Sequence, residues 1–344
     1  MPKISVIIPI FNVEKYIRKA LDSVVNQTLS DIEIICVNDC TPDNSFEIVK
    51  EYASKDARFV LLEQETNQGQ GVARNRALDV AKGDYIMFLD PDDWYELDAC
   101  EKAYNQIEQN QNDMVLFSYY NYYECNQKKE LSRGMLKPFS KFIDNKRIIL
   151  KELDVAFFRS AYTVMYIYKR DFLNKNNIRY GIGRLGEDIN FACMTLACCN
   201  NISILDYPLY IYRQREGSAS RECKSWQQLI EVRFEIYKKM LNFDEDKKWF
   251  LKPFIVYYVN TLFYWFKIFS RKEPKISKEY YAKLRSTFIE LDRNCDISQI
   301  KDMFSWKNYI SFYLCIENEN LFLFKCKRVI YKLFYIIKSS ILKK

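Results

Sequence analysis

Short apolar runs separated by amphipathic stretches govern the first hundred residues. Residues 4–8 (Ile-Ser-Val-Ile-Ile) and 32–37 (Ile-Glu-Ile-Ile-Cys-Val) read as strands. Near-continuous apolar runs of that length belong to strands buried on both faces, as in parallel sheets. Residues 58–63 and 84–89 predict two more strands. Helical patterns fill the intervals at 14–26, 45–53 and 72–81, and in the first of them Tyr16, Ile17, Ala20, Leu21 and Val24 share one face. Thr41-Pro42-Asp43-Asn44-Ser45 has the chemistry of a helix start, and Gly83 closes the third helix. Strands alternating with helices of this length predict an α/β fold with a mostly parallel, doubly wound sheet.

Beyond residue 110 the pattern loosens. Residues 114–120, 163–168 and 202–212 predict extended segments, and residues 145–153 and 187–198 predict helices. From Trp226 onward the pattern is helical, with heavy use of Phe and Tyr. Residues 254–269 are apolar, but Pro253, Asn260 and Lys267 interrupt the run and leave it short of a clean membrane span. A buried helix of a C-terminal bundle is expected there. The expected plan is the α/β sheet domain over residues 1–220, a helical region over 221–320 and a separate tail over 321–344.

The tail changes the picture of charge. The 344-residue chain carries a formal charge of +7, from 52 Lys and Arg against 45 Asp and Glu. Lys325, Lys327, Arg328, Lys332, Lys338, Lys343 and Lys344 lie in the tail, which has no acidic residue and so accounts for the whole excess. On a helical wheel Phe322, Cys326, Val329, Ile330, Leu333, Ile336 and Ile337 form one face, while Lys325, Arg328 and Lys332 form another. A basic amphipathic helix of this kind lies on anionic membrane surfaces; the alternative is a last helix packed on the bundle with its lysines in water. With no signal peptide ahead of the first strand, the expectation is a cytoplasmic protein, peripheral on the inner face of the membrane. A neutral body argues against nucleic acid as a partner.

Composition narrows the chemistry. The chain has no histidine, which removes Ser-His-Asp and Cys-His catalysis and leaves a carboxylate as the foremost general base. Eleven cysteines with no Cys-x-x-Cys pair point to reduced thiols rather than a disulfide framework or a zinc site. Cys36, Cys40, Cys100, Cys193, Cys198 and Cys199 sit mostly in apolar surroundings.

Asp90-Pro91-Asp92-Asp93 follows directly on the fourth apolar run. Proline ends the strand, so the carboxylates arrive at a strand's carboxyl end, where open α/β sheets bind ligands. Two carboxylates one residue apart suit Mn2+ or Mg2+ bridging a diphosphate; the plainer alternative is an acidic loop capping a helix that begins near Trp94.

Taken together, five motifs resemble the family 2 glycosyltransferases, nucleotide-sugar enzymes of GT-A fold. They are Val6-Ile7-Ile8-Pro9-Ile10-Phe11-Asn12 with Glu14; Val37-Asn38-Asp39-Cys40-Thr41-Pro42-Asp43-Asn44-Ser45; Asn67-Gln68-Gly69-Gln70-Gly71-Val72-Ala73-Arg74-Asn75; Leu89-Asp90-Pro91-Asp92-Asp93-Trp94; and Gly186-Glu187-Asp188 with the Tyr212-Arg213 to Ser218 segment. The likeness spans residues 4–220. It implies an inverting, metal-dependent transfer from a UDP-sugar donor to a glycan or glycolipid acceptor. Asp39 would read the uracil N3–H while Pro9 and Phe11 border the base. Glu14 and Asn67 belong to the same nucleotide-binding set, and Arg74 would reach the diphosphate or ribose, although a surface arginine fits its spacing equally. Asp92 would bind the metal and Asp90 the ribose or metal-bound water. Asp188 would be the base, with Glu187 sharing or orienting, and Arg213 and Ser218 would close over the diphosphate. Phe11 departs from the family's frequent tyrosine. A sugar-1-phosphate nucleotidyltransferase is the competing enzyme class, but Ile10-Phe11-Asn12-Val13-Glu14 stands where it needs a loop rich in glycine and arginine.

Overall fold

A computed structural model describes residues 1–134, 136, 162–181, 187–215, 226–243, 250–272, 274–294 and 306–317. The chain divides into two units, Met1–Cys223 and Lys224–Lys344.

In the first unit the apolar runs are strands β1 (Ile4–Ile10), β2 (Ile32–Asn38), β3 (Phe59–Glu63) and β4 (Tyr85–Phe88). Helices α1 (Ile17–Val25), α2 (Ser45–Ala53) and α3 (Gln70–Val80) alternate with them. β1 and β4 are buried along their whole lengths, as expected of strands covered on both faces. Next come β5 (Trp94–Tyr95), α4 (Ala99–Asn110), β6 (Met114–Tyr123) and β7 (Lys128–Ser132). A 3-10 turn (Thr163–Met165), β8 (Tyr166–Lys169), α5 (Arg170–Lys175), α6 (Glu187–Cys198) and β9 (Ile202–Gln214) complete the unit.

The strand order is β3-β2-β1-β4-β8-β6-β9-β5, with β7 paired to β6. β1 is parallel to β2 and β4, β2 to β3, and β6 to β9, while β8 is antiparallel to both of its neighbours. β1, β2, β3, β4, β6 and β9 therefore run the same way. Their carboxyl ends collect Asp39, the Asp90–Asp93 turn, the tyrosines of β6 and Arg213 along one edge.

Three segments differ from the periodicity. The helix expected near Trp94 starts only at Ala99, because Trp94 and Tyr95 pair with Ile211 and Tyr210 as a short strand, and the Tyr95 hydroxyl donates to the Phe88 carbonyl at 2.8 Å. Residues 163–165 are a 3-10 turn rather than strand, and helix α1 starts at Ile17 because a turn on the Val13 carbonyl precedes it. Cys36, Cys100, Cys193, Cys198, Cys199 and Cys315 are buried and form no disulfide, whereas Cys40 is exposed in the turn after β2. The helix expected over residues 145–153 lies outside the described residues.

In the second unit α7 (Trp226–Leu241), α8 (Leu251–Lys272), α9 (Pro274–Asn294) and α10 (Trp306–Glu317) pack around Tyr237, Phe254, Tyr258, Leu284, Phe288 and Phe312. The Tyr280 hydroxyl donates to the Leu262 carbonyl at 2.8 Å, tying α9 to α8. Among the described residues no helix is long and apolar enough to cross a membrane. The tail lies outside the described residues.

Candidate active site

The β2 exit places Asp39 beside β1, its N–H donating to the Ile10 carbonyl at 3.0 Å. Its buried carboxylate accepts the Gln64 amide at 2.7 Å and the backbone N–H groups of Gln68 and Gly69 at 2.7 and 2.9 Å. Asp39 thus anchors the loop that carries half-buried Asn67 to the start of α3. Gly69 takes φ 91° at that turn, a conformation glycine adopts without steric cost. Pro9 is buried in register with Val37, while Phe11 is exposed at the rim. Glu14 lies elsewhere: its carboxylate accepts the Asn44 backbone N–H at 3.1 Å and its side-chain amide at 3.2 Å, at the start of α2.

Arg74 is the buried centre of the site and not a surface arginine. From α3, with only 3% of its side chain exposed, it donates to Asp90 at 2.5 Å and lies 4.0 Å from Glu187. Its guanidinium stacks over Tyr180 at 5.1 Å, and Tyr180 in turn stacks on Phe191 of α6 at 4.2 Å. Gln70 donates to Glu187 at 2.7 Å. Gly71 lets the first turns of α3 and α6 meet, since a Cβ there would lie 2.8 Å from Glu187 Cγ and 2.9 Å from the Gly181 carbonyl. Asp188 follows in the first turn of α6, where its Oδ1 accepts the Ile189 N–H at 2.8 Å.

The Asp90–Asp93 turn carries a second group. Arg215 pairs with the Asp92 carboxylate at 2.9 Å, and Arg213 donates to the Asp92 carbonyl at 2.7 Å. Asp93 is buried and accepts from the Tyr210 hydroxyl and the Arg213 backbone N–H, both at 2.7 Å. The motifs give no role to Asp93 or Arg215. The two-residue spacing of Arg213 and Arg215 on an extended segment was the available signal for the latter. Ser218 lies outside the described residues.

Burial and its neighbour Asp92 push the carboxyl of Asp90 up, against the lowering effect of Arg74. Glu187 is raised in the same way, by burial first and then by Asp188, with Arg74 opposing. A carboxyl raised by folding holds its proton more tightly in the native state, so native stability falls as pH climbs from the ordinary value of 4.5 through the folded one. Glu187→Gln cannot ionise. Its melting midpoint relative to the parent should therefore climb as pH goes from 4 to 7, and a flat difference across that range would contradict the burial argument.

Asp90 and Asp92 are hard oxygen donors, and a divalent cation that draws its remaining ligands from phosphate and water fits such a pair. Among the described residues no group of three His, Cys, Asp or Glu side chains could hold a metal by itself.

Residues 5–172 match the family described as Glycosyl transferase family 2. Glycosyltransferase GlyA of Streptococcus pneumoniae serotype 4 is 36% identical over 229 residues, covering 64% of this chain and 32% of GlyA. Glycosyltransferase GlyG of the same organism is 30% identical over 231 residues, covering 63% of this chain and 73% of GlyG. The chain therefore spans about a third of the first relative and nearly three quarters of the second. In structure, S. aureus TarS 1-349 in complex with UDP-GlcNAc superposes with a TM-score of 0.78 at 23% identity, covering 97% of this chain and 91% of that one. That likeness bears on fold, and with the sheet order it supports the GT-A architecture expected from the motifs.

Proposed function

Because the chain belongs to glycosyl transferase family 2, we propose that it is an inverting glycosyltransferase moving a hexose or N-acetylhexosamine from a UDP-sugar to a hydroxyl of a cell-surface glycan. The observation that carries this reading is the pair of carboxylate groups joined by Arg74. Asp90 and Asp92 lie at the exit of β4, and Glu187 and Asp188 lie in the first turn of α6. Transfer needs a held nucleotide, a neutralised leaving diphosphate and a base for the acceptor hydroxyl.

Asp39, Pro9, Phe11 and Asn67 hold the uridine in this reading. Glu14 supports it from the α2 end by fixing the turn that follows β2. Arg213 and Arg215 face the diphosphate in this reading. A divalent cation, Mn2+ or Mg2+, held by Asp92 with Asp90 beside it would offset the charge developing on the departing diphosphate. Asp188 accepts the proton of the acceptor hydroxyl as that oxygen attacks the anomeric carbon from the face opposite the diphosphate. Direct displacement inverts that centre, so an α-linked donor gives a β-linked product. Glu187, held by Gln70 and Arg74, orients the acceptor side.

In this reading residues 1–220 form the catalytic domain, residues 221–320 the helical region, and the basic tail attaches to anionic membrane. UDP complexed to TarS is consistent with the donor class. Calorimetric titration of UDP, with and without Mn2+, tests the proposal. Binding that strengthens with metal is expected, and no binding in either condition would overturn the donor class.

A further inference from the structure

Strand β6 leaves the core as Tyr119, Tyr120, Asn121, Tyr122 and Tyr123, and successive side chains of a strand point to opposite faces. The two faces differ in chemistry. On one, Lys129 lies 4.1 Å from the Tyr120 ring, and Lys19 and Arg213 lie 5.1 and 5.7 Å from the Tyr122 ring. On the other, Tyr119 meets Tyr212 ring against ring, edge-on at 6.4 Å. Tyr162 leads into the 3-10 turn, which packs against β6 and against α6, the helix whose first turn holds Glu187 and Asp188. Its phenol is pushed up by burial, and Tyr119, Tyr212 and Asp188 each add to that shift, so all three lie within electrostatic reach of it. The ring nevertheless keeps 48% of its surface open, and Tyr119 and Tyr212 are half-buried.

We propose that Tyr119, Tyr162 and Tyr212 form the platform that receives the terminal pyranose of the acceptor saccharide next to Asp188. The inference rests on the reading of Asp188 as the base, and it adds the ligand that base would face. A pyranose presents an apolar face of C–H groups with hydroxyls around its edge. An aromatic face matches the first through contact area and its negative quadrupole, and phenol hydroxyls can donate to or accept from the second. The occupant is an uncharged sugar rather than a phosphate. Glu187 and Asp188 would repel an anion, while the lysines and the arginine that stack on β6 do so on the opposite face. Because Tyr119 and Tyr212 meet edge-on, a pyranose stacks on the face of one ring with its edge against the other, on the face of β6 where the 3-10 turn packs against α6.

The probes are methyl β-D-glucopyranoside, methyl β-D-galactopyranoside and methyl N-acetyl-β-D-glucosaminide. Their binding is read by saturation-transfer NMR on the full chain with UDP present. At least one glycoside should receive saturation, strongest on the protons of a single ring face. Tyr162→Ala and Tyr212→Ala should weaken that binding by about tenfold, as loss of a ring contact worth about 1.4 kcal/mol implies. Tyr162→Phe and Tyr212→Phe should retain it, and all four variants should bind UDP as the parent does, which verifies their fold. Saturation unchanged in both alanine variants, or absent for every glycoside in the parent, overturns the platform. The UDP titration is a separate arm: its failure removes the donor reading, whereas failure of the glycoside arm with UDP bound removes only the platform.

Discussion

Asp188→Asn is expected to bind UDP within about twofold of the parent and to lose about 10²–10⁴-fold in transfer rate, the range a positioned general base contributes. Asparagine keeps the side-chain oxygen that accepts the Ile189 N–H at the start of α6, so the helix and its neighbours should persist. It lacks the basic oxygen that takes a proton. The chain has no histidine to substitute, and the remaining acid on this helix turn, Glu187, is committed to Gln70 and Arg74. Transfer rates alongside UDP titrations distinguish a chemical loss from a structural one. Turnover of the variant within a few-fold of the parent would remove Asp188 from the base role.

Arg74→Ala should be the most damaging single substitution to stability in the first unit. Asp90 and Glu187 share this guanidinium, and Glu187 has almost no solvent to fall back on. Removing one partner of a buried pair costs about 3–5 kcal/mol, because the other charge stays buried without compensation. In a unit of this size that is a drop of roughly 10 °C in melting midpoint. The loss should shrink on acidification. Arg74 lowers both carboxyls in the parent, so without it they rise further and take up protons nearer neutrality. Scanning calorimetry from pH 4 to 8 reads both effects. A change under about 2 °C at neutral pH would mean that Arg74 does not hold these carboxylates.

The parts of the fold that could be read in advance are those in which burial is written as a run. β1, β2 and β4 are apolar nearly throughout because both faces are covered, and α1 and α2 between them carry one apolar stripe each. β5 is two residues long and therefore has no period; only its pairing with β9 makes it a strand. β7, Lys128–Ser132, is largely exposed and polar, held in place by pairing with β6 and invisible to any hydrophobic count. β9 shifts register against β6 near Pro208, which blurs its alternation.

The site divides along the same line. Asp39, Asp90 and Asp92 could be placed because each lies in the turn at a strand's carboxyl end. Arg74 could not be told from a surface residue, since its burial depends on Tyr180 and α6 arriving from a hundred residues away. Asp93 and Arg215 acquire partners only when β9 folds back beside the β4 exit.

Gly71 bears on how this protein tolerates change. It carries no functional group, yet even a methyl at its Cα would press on Glu187 and on the Gly181 backbone. Such a residue would wedge α6 outward and separate the two carboxylate groups that Arg74 joins. A mutational survey scored on activity should therefore find position 71 as intolerant as the acids themselves, although no experiment on proton transfer or ligand contact would ever point to it. The spacing of the two carboxylate groups is held by an absence of atoms, and drift in sequence is least tolerable there.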